Sequence, residues 1–269
     1  MEQITPQIHF GSDLAGLFDL TGQVAYIPGG YGGIGEAIAW GLAGRGAKVV
    51  VAGRNIEQAQ HLAYQLGENG YEAVGCAVDV KSVAEIRDSV DFVVATYGAI
   101  DILINSTGIQ REEGILDVTE EAFDEVYQVN LKAAMFLAQA AARHQIAAKR
   151  GKQIHLLSVR SQLGLRDRGY SAYCSTKGGL IMLIKQHAME LAPYSINVNG
   201  IAPTFVYTEM IRHVMENDTF RANLLARIPL GRIASPKDIV GAATFFAAPA
   251  SDFITGQVLY VDGGITAGQ

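Results

Sequence analysis

Short apolar runs alternate with helical patterns along most of the chain, and this alternation limits the fold more than any other feature. Apolar runs predict strands at 24–27, 48–52, 72–78, 100–104, 152–157, 196–201 and 258–261. Helical patterns between them cover 34–44, 55–66, 82–96, 119–148 and 172–191. A repeated strand–helix–strand order favours parallel strands with right-handed crossovers and helices on both faces of the sheet. The sequence therefore predicts one α/β domain at 21–269 after an N-terminal arm at 1–20.

Composition excludes several classes of protein. Hydrophobic residues make up 49% of the 269 residues and charged residues only 18%, which favours a large core over disorder. A net charge of −6 gives no general attraction to nucleic acid or to an anionic membrane, so neither is expected as a partner. Cys76 and Cys174 are too few for a disulfide framework or a metal cluster, and no metal site is expected. Residues 1–12 lack a signal-peptide pattern, and a cytoplasmic location is predicted.

A glycine-rich segment, Pro28-Gly29-Gly30-Tyr31-Gly32-Gly33-Ile34-Gly35, follows the first predicted strand. Glycines permit a tight turn and close approach of the backbone to a pyrophosphate, and the helix behind directs its N-terminal amides at that charge. A plain structural turn is the alternative for such a segment alone. The strand before it and the helix after it favour a dinucleotide site. The candidate residues in this segment are Gly29, Tyr31, Gly33, Ile34 and Gly35.

The ends of the second and third predicted strands bear on which dinucleotide binds. Gly53-Arg54-Asn55 follows the second strand, where an acidic residue would select NAD through the ribose 2′-hydroxyl. Arg54 is instead suited to a 2′-phosphate, which favours NADP over NAD, although a solvated arginine is the alternative. Asp79 and Val80 follow the third strand, and Asp79 could contact the adenine or cap the next helix.

Tyr173 and Lys177 are four residues apart in the last long helix, so the two side chains share one helix face. A nearby ammonium favours the phenolate and is expected to lower the pKa of the tyrosine. A tyrosine in that state can exchange a proton with an alcohol or a carbonyl near neutral pH. For this pair alone, an ordinary surface lysine and a half-buried tyrosine would be the simpler interpretation.

Taken together, these segments resemble the short-chain dehydrogenase/reductase family from about residue 20 to 264. Gly29, Gly33 and Gly35 match its glycine motif, with Pro28 where the family usually has threonine. Asn105-Ser106-Thr107-Gly108 is similar to the N-N-A-G motif after the fourth strand. Asn130, Ser158, Tyr173 and Lys177 match the catalytic tetrad. Further matches to the nicotinamide turn of the family are Pro203, Val206 and Thr208, in a predicted substrate loop at about 203–230.

The resemblance implies a Rossmann-type doubly wound sheet and an oxidoreductase that interconverts a secondary alcohol and a ketone with NADP or NAD. Tyr173 is then the acid/base, and Lys177 lowers its pKa and binds the nicotinamide ribose. Ser158 stabilises the substrate oxygen, and Asn130 holds a water in a proton relay. Read singly, Ser158 could be a strand-end cap and Asn130 an ordinary polar group on a helix.

The spacing of the serine departs from the family. Ser158 lies 15 residues before Tyr173, two more than is usual, so the resemblance implies a two-residue insertion at 163–170. By spacing alone Arg160 would take the serine's place, and an arginine cannot do its work. Ser161 is the second candidate for the catalytic serine. The insertion lies where substrate is expected to bind.

Three stretches resemble those of gluconate 5-dehydrogenases within the family: 108–111, 161–164 and 250–264. Candidate substrate residues are Gln110, Arg111, Arg160 and Ser161, and Arg166 and Arg168 flank the same region. Arginine pairs well with carboxylates, so a sugar acid is a reasonable substrate. A neutral sugar or polyol, a 3-oxoacyl compound and a cyclic or xenobiotic ketone remain open.

Two other classes of function remain for the same fold. One is a catalytically silent NADP-binding regulator, and the other is an acid/base enzyme such as a dehydratase that uses the cofactor structurally. The intact tetrad argues against the regulator. Apolar positions on the 172–191 helix, together with the resemblance, predict a homotetramer.

Overall fold

The computed structural model describes residues 10–166, 168–209, 216 and 218–268. Its strands are β1 Val24–Pro28, β2 Lys48–Gly53, β3 Ala73–Ala77, β4 Ile102–Asn105, β5 Gly151–Leu156, β6 Ile196–Pro203 and β7 Val258–Val261. They form one sheet in the order β3-β2-β1-β4-β5-β6-β7, and every pair is parallel. The predicted doubly wound α/β sheet is confirmed.

The helices of the described chain lie between these strands. They are α1 Phe10–Ala15, α2 Gly33–Ala43, α3 Ile56–Glu68, α4 Val83–Tyr97, α5 Glu120–Tyr127, α6 Ala133–Ala148, α7 Ser171–Leu191, α8 Asp218–Leu225 and α9 Lys237–Ala247. The long helical pattern at 119–148 contains both α5 and α6, which are joined by a π-helical turn at Gln128–Lys132. Helices α8 and α9 were not predicted from the sequence.

Alternate side chains of the central strands enter two cores, one on each face of the sheet. In β1, Ala25 and Ile27 belong to the core that also contains residues of α2, α3 and α9. Val24 and Tyr26 belong to the opposite core, which includes residues of α4 and α6. Burying a large aliphatic side chain stabilises the fold by about 1.5–3 kcal/mol, so this two-sided pattern holds the sheet between its helices.

The predicted N-terminal arm is partly structured. Helix α1 lies within it, and Leu20 is fully buried in the core on the α2 side. The backbone amide of Ala250 donates to the carbonyl of Leu17, which ties the arm to the body of the domain. Residues 1–9 lie outside the described chain.

The strand order reverses between β1 and β4, so the helices that follow these two strands leave toward opposite faces. A crevice at the carboxyl ends of the strands is the usual ligand site of such a sheet. Pro28, Gly53, Asn105, Leu156 and Pro203 end five of the strands at that edge. No helix in the described ranges is long and apolar enough to cross a membrane.

Candidate active site

The glycine turn after β1 brings backbone groups together so closely that side chains would not fit. Gly29 has a φ of +77°, and a Cβ there would lie 2.8 Å from the carbonyl oxygen of Ser106. A Cβ on Gly35 would lie 2.3 Å from the carbonyl oxygen of Gly29. Gly32 caps α2 without any side-chain hydrogen bond, which leaves the amides at the start of the helix available to a phosphate. These features fit the pyrophosphate of a dinucleotide.

The segment after β2 is covered by Tyr31 from the glycine turn. The Tyr31 hydroxyl accepts a hydrogen bond of 3.0 Å from the Asn55 amide, and its ring packs against Gly53. The Asn55 side chain caps α3 by accepting from the amides of Glu57 and Gln58. Arg54 is exposed, and no carboxylate of the described chain pairs with it. Its guanidinium can therefore meet a 2′-phosphate, as the sequence suggested.

At the end of β3, Asp79 forms a local turn. Its carboxylate accepts from the Lys81 amide, and its own amide donates to Glu85. Ser82, and not Asp79, caps α4 by accepting from the Glu85 amide, so the capping alternative for Asp79 is wrong. Val80 is buried in the α4-side core.

Asn105 ends β4, and both its amide oxygen and its amide nitrogen have partners. Its Oδ1 accepts from the Thr107 amide at 3.2 Å and from the Thr107 hydroxyl at 2.6 Å. Its Nδ2 lies 3.3 Å from Nδ1 of His155, a buried residue of β5. Burial lowers the pKa of His155 to about 3, with further lowering from the nearby His187 and Lys177, so the ring is neutral. A neutral Nδ1 can accept from Asn105 and orient the loop that follows β4.

Tyr173 lies in the first turn of α7, with Ser158 opposite it just beyond β5. Burial raises the pKa of Tyr173 to about 12, and the neighbouring Ser158 hydroxyl acts in the opposite direction. Ser158 is also the N-cap of a short 3₁₀ turn, because its hydroxyl accepts from the Arg160 amide at 3.2 Å. The hydroxyl can thus serve as cap and still reach Tyr173.

The expected lowering of the Tyr173 pKa by Lys177 is wrong for this arrangement. Nζ of Lys177 lies 5.7 Å from the centre of the Tyr173 ring and donates at 2.7 Å to the carbonyl of Leu156. The lysine is only 3% exposed, and burial lowers its own pKa to about 8. Desolvation of the phenol therefore outweighs the influence of a distant ammonium.

Asn130 faces Lys177 across Gly108. A Cβ on Gly108 would lie 3.4 Å from Nζ of Lys177 and 3.6 Å from Oδ1 of Asn130. Asn130 accepts from the Ile109 amide and donates to the Ile109 carbonyl, and its Nδ2 also reaches Thr176. These bonds occupy most of its amide, so the side chain anchors the loop after β4. Asn130 sits in the π-helical turn, a geometry that is often found at functional sites.

The segment after β6 closes the cofactor side. Pro203 pairs with Val261 at the end of β6, and Val206 is buried and forms an isolated bridge with Ala234. Thr208 lies against the glycine turn, since a Cβ on Gly33 would be 2.6 Å from Cγ2 of Thr208. Ile34 packs partly buried against the core beside them. Residues 210–215 and 217 of the predicted substrate loop lie outside the described chain.

Three of the four predicted substrate residues, all but Gln110, have partners within the protein. Arg111 forms an ion pair with Glu125, and Glu125 also pairs with Lys81. Arg160 is 5% exposed and donates to the carbonyls of Leu163 and Gly164. Gln110 has a buried amide nitrogen without a partner.

Ser161, the second candidate for the catalytic serine, is bound elsewhere. Its hydroxyl donates at 2.7 Å to the carbonyl of Ser158 and lies 3.0 Å from the Tyr260 hydroxyl. Of the two serines, Ser158 is therefore the one with a hydroxyl placed to act with Tyr173.

Three further residues near the site were not chosen as site residues from the sequence. His155 could have been noticed as a histidine in an otherwise buried strand. Thr204 is buried with a hydroxyl that has no partner, beside the segment expected to contact nicotinamide. Arg227 lines a cleft near Tyr173, yet it lies far along the chain and belongs to no motif.

Comparisons with known proteins agree with this geometry. A family model described as "Enoyl-(Acyl carrier protein) reductase" matches residues 21–266. The chain is 37% identical to 5-keto-D-gluconate 5-reductase of Escherichia coli K12 over 93% of its length and 97% of that protein. It is 38% identical to gluconate 5-dehydrogenase of Gluconobacter oxydans 621H, with the same coverage of both chains.

A solved structure matches equally well. The crystal structure of a gluconate 5-dehydrogenase from Burkholderia cenocepacia J2315, in complex with NADP and tartrate, superposes with a TM-score of 0.92. That protein is 39% identical, and the match covers 95% of this chain and all of the other. With its glycine turn, its tetrad and these relatives, the chain belongs to the short-chain dehydrogenase/reductase family of NAD(P)-dependent oxidoreductases.

Proposed function

We propose that the protein reduces the ketone of a sugar acid with NADPH and catalyses the reverse oxidation with NADP, as a gluconate 5-dehydrogenase does. One observation carries the proposal. Ser158, Tyr173 and Lys177 lie together at the carboxyl edge of the sheet, next to the glycine turn at 29–35. The gluconate-acting relatives, each more than a third identical over nearly the whole chain, support the sugar acid.

The cofactor would lie across this edge from the glycine turn to Tyr173. The turn at Gly29–Gly35 and the amides of α2 would hold the pyrophosphate, and exposed Arg54 would bind the 2′-phosphate of NADP. The remaining contacts proposed for it come from Tyr31, Asn55, Asp79, Val80, Asn105, Thr107, Gly108, Pro203, Val206 and Thr208. When bound, NADPH supplies a hydride to the carbonyl carbon of the substrate.

Tyr173 supplies the proton that completes the reduction. With a pKa of about 12 the phenol is protonated at neutral pH, so it can donate to the carbonyl oxygen as that oxygen gains charge. Ser158 donates a second hydrogen bond to the same oxygen and stabilises the developing charge. In the oxidation, Tyr173 must first lose its proton, so that direction should speed up as pH rises.

Lys177 and Asn130 act behind the tyrosine. Lys177 is buried with a pKa near 8, so it can carry positive charge beside the ribose hydroxyls at neutral pH. Positive charge in the nicotinamide ring of the oxidised cofactor would lower the Tyr173 pKa, an effect that Lys177 alone does not produce. Asn130 keeps Gly108 and Ile109 in place, and a water relay in this region would pass beside it.

A 3-oxoacyl substrate is the second candidate, because 3-oxoacyl-[acyl-carrier-protein] reductases of Vibrio cholerae and Escherichia coli K12 are each 34% identical to this chain. A cleft that reaches Tyr173 through Tyr170 is lined by three arginines, which favours a small anion over a long neutral chain. The Burkholderia relative was solved with tartrate, a small hydroxy acid, and this also supports the sugar acid.

A paired rate assay tests the proposal. Purified protein is given 5-keto-D-gluconate with NADPH and separately with NADH, and Tyr173→Phe is the control. We expect turnover that prefers NADPH and falls by about 10²–10⁴-fold in the variant, the range for loss of a general acid. The variant should still bind NADPH with an affinity close to that of the wild type.

Other outcomes separate the alternatives. Turnover of a 3-oxoacyl thioester but not of the keto acid would replace the substrate and keep the enzyme. Cofactor binding without turnover of any carbonyl would favour a silent regulator. Loss of water from a hydroxy acid without net change in cofactor would favour a dehydratase.

We also propose a cytoplasmic homotetramer. Helices α5, α6 and α7 expose large hydrophobic side chains, including Phe123, Met135 and Met182, that a neighbouring copy could cover. Light scattering at micromolar concentration checks this, and a monomer would exclude it.

A further inference from the structure

A cleft of about 220 Å³ lies between the predicted insertion and α8, and Arg168 in its lining contacts Tyr170 at the start of α7. Its lining includes Leu165, Arg166, Arg168, Phe205, Phe220 and Arg227. The volume lies below the roughly 300–1,000 Å³ of sites for drug-sized molecules, so a small ligand suits it best.

The cleft is linked to Tyr173 by a chain of ring contacts. The Tyr170 and Tyr173 rings meet edge to face with centroids 6.0 Å apart. The guanidinium of Arg168 lies 5.4 Å from the Tyr170 ring and 5.4 Å from the Phe220 ring. A short substrate could therefore place its ketone at Tyr173 and its far end in the cleft.

The arginines of the cleft have different surroundings. Arg168 forms an ion pair with Glu112, so its charge is neutralised within the protein. Arg166 and Arg227 are exposed, and neither has an ion-pair partner among the described residues. Buried Arg160 stands behind them, and its pKa is lowered by burial and by the charge of Arg227. The cleft thus holds more positive charge than the described carboxylates balance.

Like charges held together repel, and a bound anion relieves that repulsion. Apolar side chains, among them Leu165, Phe205 and Leu224, line the cleft beside the exposed arginines, so a ligand bound there would displace water from them. Ion pairs gain strength where water is excluded, and arginine binds a carboxylate through two parallel hydrogen bonds. The arrangement is suited to an acid group.

We propose that Arg166 and Arg227 together bind the carboxylate of the substrate, at the end remote from the ketone that Tyr173 protonates. The proposal rests on the proposed function for the position of the ketone. It gives the two-residue insertion at 163–170 a purpose, because the lengthened loop carries Arg166 to the cleft. The expected substrate is a short polyhydroxy keto acid, and not its neutral analogue.

The test compares substrates that differ only in the acid. 5-Keto-D-gluconate is compared with L-sorbose, which has a CH₂OH group where the keto acid has its carboxylate. We expect Arg227→Gln and Arg166→Gln each to raise the KM for the keto acid about tenfold, the effect of losing one charge-assisted contact, and the double variant to raise it further. The kcat/KM for L-sorbose should stay the same.

Arg87→Gln, which removes an exposed arginine on α4, is the control and should leave both substrates unchanged. Equal losses for the keto acid and L-sorbose, or no loss for either, would overturn the proposal. The Kd for NADPH, measured by fluorescence, should be the same in all variants.

A binding measurement keeps the proposal separate from the proposed function. Calorimetry of the enzyme–NADP complex compares D-gluconate with D-glucitol, its neutral counterpart. The wild type could bind D-gluconate, and the double variant not, without any reduction of 5-keto-D-gluconate. That result would support the anion site and contradict the proposed substrate. If D-gluconate and D-glucitol bind alike, the anion site falls whatever the activity.

Discussion

The cofactor side and the substrate side of this site are built from different parts of the chain. On the cofactor side the backbone does most of the work: Gly29, Gly33 and Gly35 allow contacts that no side chain would permit. On the substrate side charged side chains dominate: Arg166, Arg168 and Arg227 line one small cleft, and the buried Arg160 is close enough to feel the charge of Arg227.

This difference fits what each side must recognise. A pyrophosphate is bound by amides at a helix N-terminus, which the fold supplies in any member with the same turn. A substrate is distinguished by its own charged and polar groups, and side chains on loops can change for this purpose without disturbing the sheet. The glycine turn would therefore recognise the pyrophosphate common to dinucleotides, and the cleft would recognise groups that belong to the substrate.

The largest expected effect concerns Lys177, a buried charge between the two sides, which lies close to Gly108 and to Tyr173. Its pKa is about 8 in the folded protein and 10.5 ordinarily, so the unfolded chain binds the extra proton between those values. Stability should therefore rise with pH across that window, by up to about 3 kcal/mol. Urea unfolding at several pH values should show this slope in the wild type and not in Lys177→Met.

Lys185→Met removes an exposed lysine from the same helix and is the matched control for that measurement. If the wild type and Lys177→Met give parallel curves, the ammonium is not desolvated as the structure indicates. The Tyr173 phenol is present in both proteins, so its own titration cancels in the difference.

Patterns that are local in sequence predicted much of the molecule. The strands lie within about two residues of their predicted bounds, because central strands of a parallel sheet are buried on both faces and so appear as short apolar runs. Ser158, Tyr173, Lys177 and Asn130 were chosen from motifs, and the fold brings them to one edge of the sheet.

What the sequence did not predict depends on contacts between distant segments. Arg111, a predicted substrate residue, forms an ion pair with Glu125 of α5, and no local pattern in the sequence indicates that contact. The Tyr173 pKa was expected to fall, but the sequence does not show how deeply the phenol is buried. Arg227 could not be linked to Arg166 until the fold placed the two on one cleft.

Among the residues on the cofactor side, Arg54 is the one whose side chain should contribute most to the affinity for NADPH. Arg54→Ala is expected to raise the KM for NADPH about tenfold or more, because a charge-assisted contact to phosphate is worth about 1.5–3 kcal/mol. NADH lacks the 2′-phosphate, so its KM should change little. Steady-state rates with both cofactors measure the ratio.

Arg45→Ala is the control for Arg54, since Arg45 is also exposed but lies at the opposite end of the sheet, where its carbonyl bonds Leu20. A similar rise in KM for NADH and for NADPH would mean that Arg54 supports the turn after β2 and does not bind the 2′-phosphate.

The smallest expected effect tests the close contact between Gly33 and Thr208. Gly33→Ala would place a Cβ 2.6 Å from Cγ2 of Thr208, and we expect NADPH to bind roughly fivefold more weakly, a cost of about 1 kcal/mol. Thr208→Ser removes that methyl group and keeps the hydroxyl, so in the double variant it should restore most of the affinity. Gly67→Ala is the control, since Gly67 is an exposed residue of α3 and its Cβ would meet nothing within 4 Å. Additive losses in this double-mutant cycle would show that the turn and the 203–208 segment do not touch, and the cofactor side would then depend on the glycine turn alone.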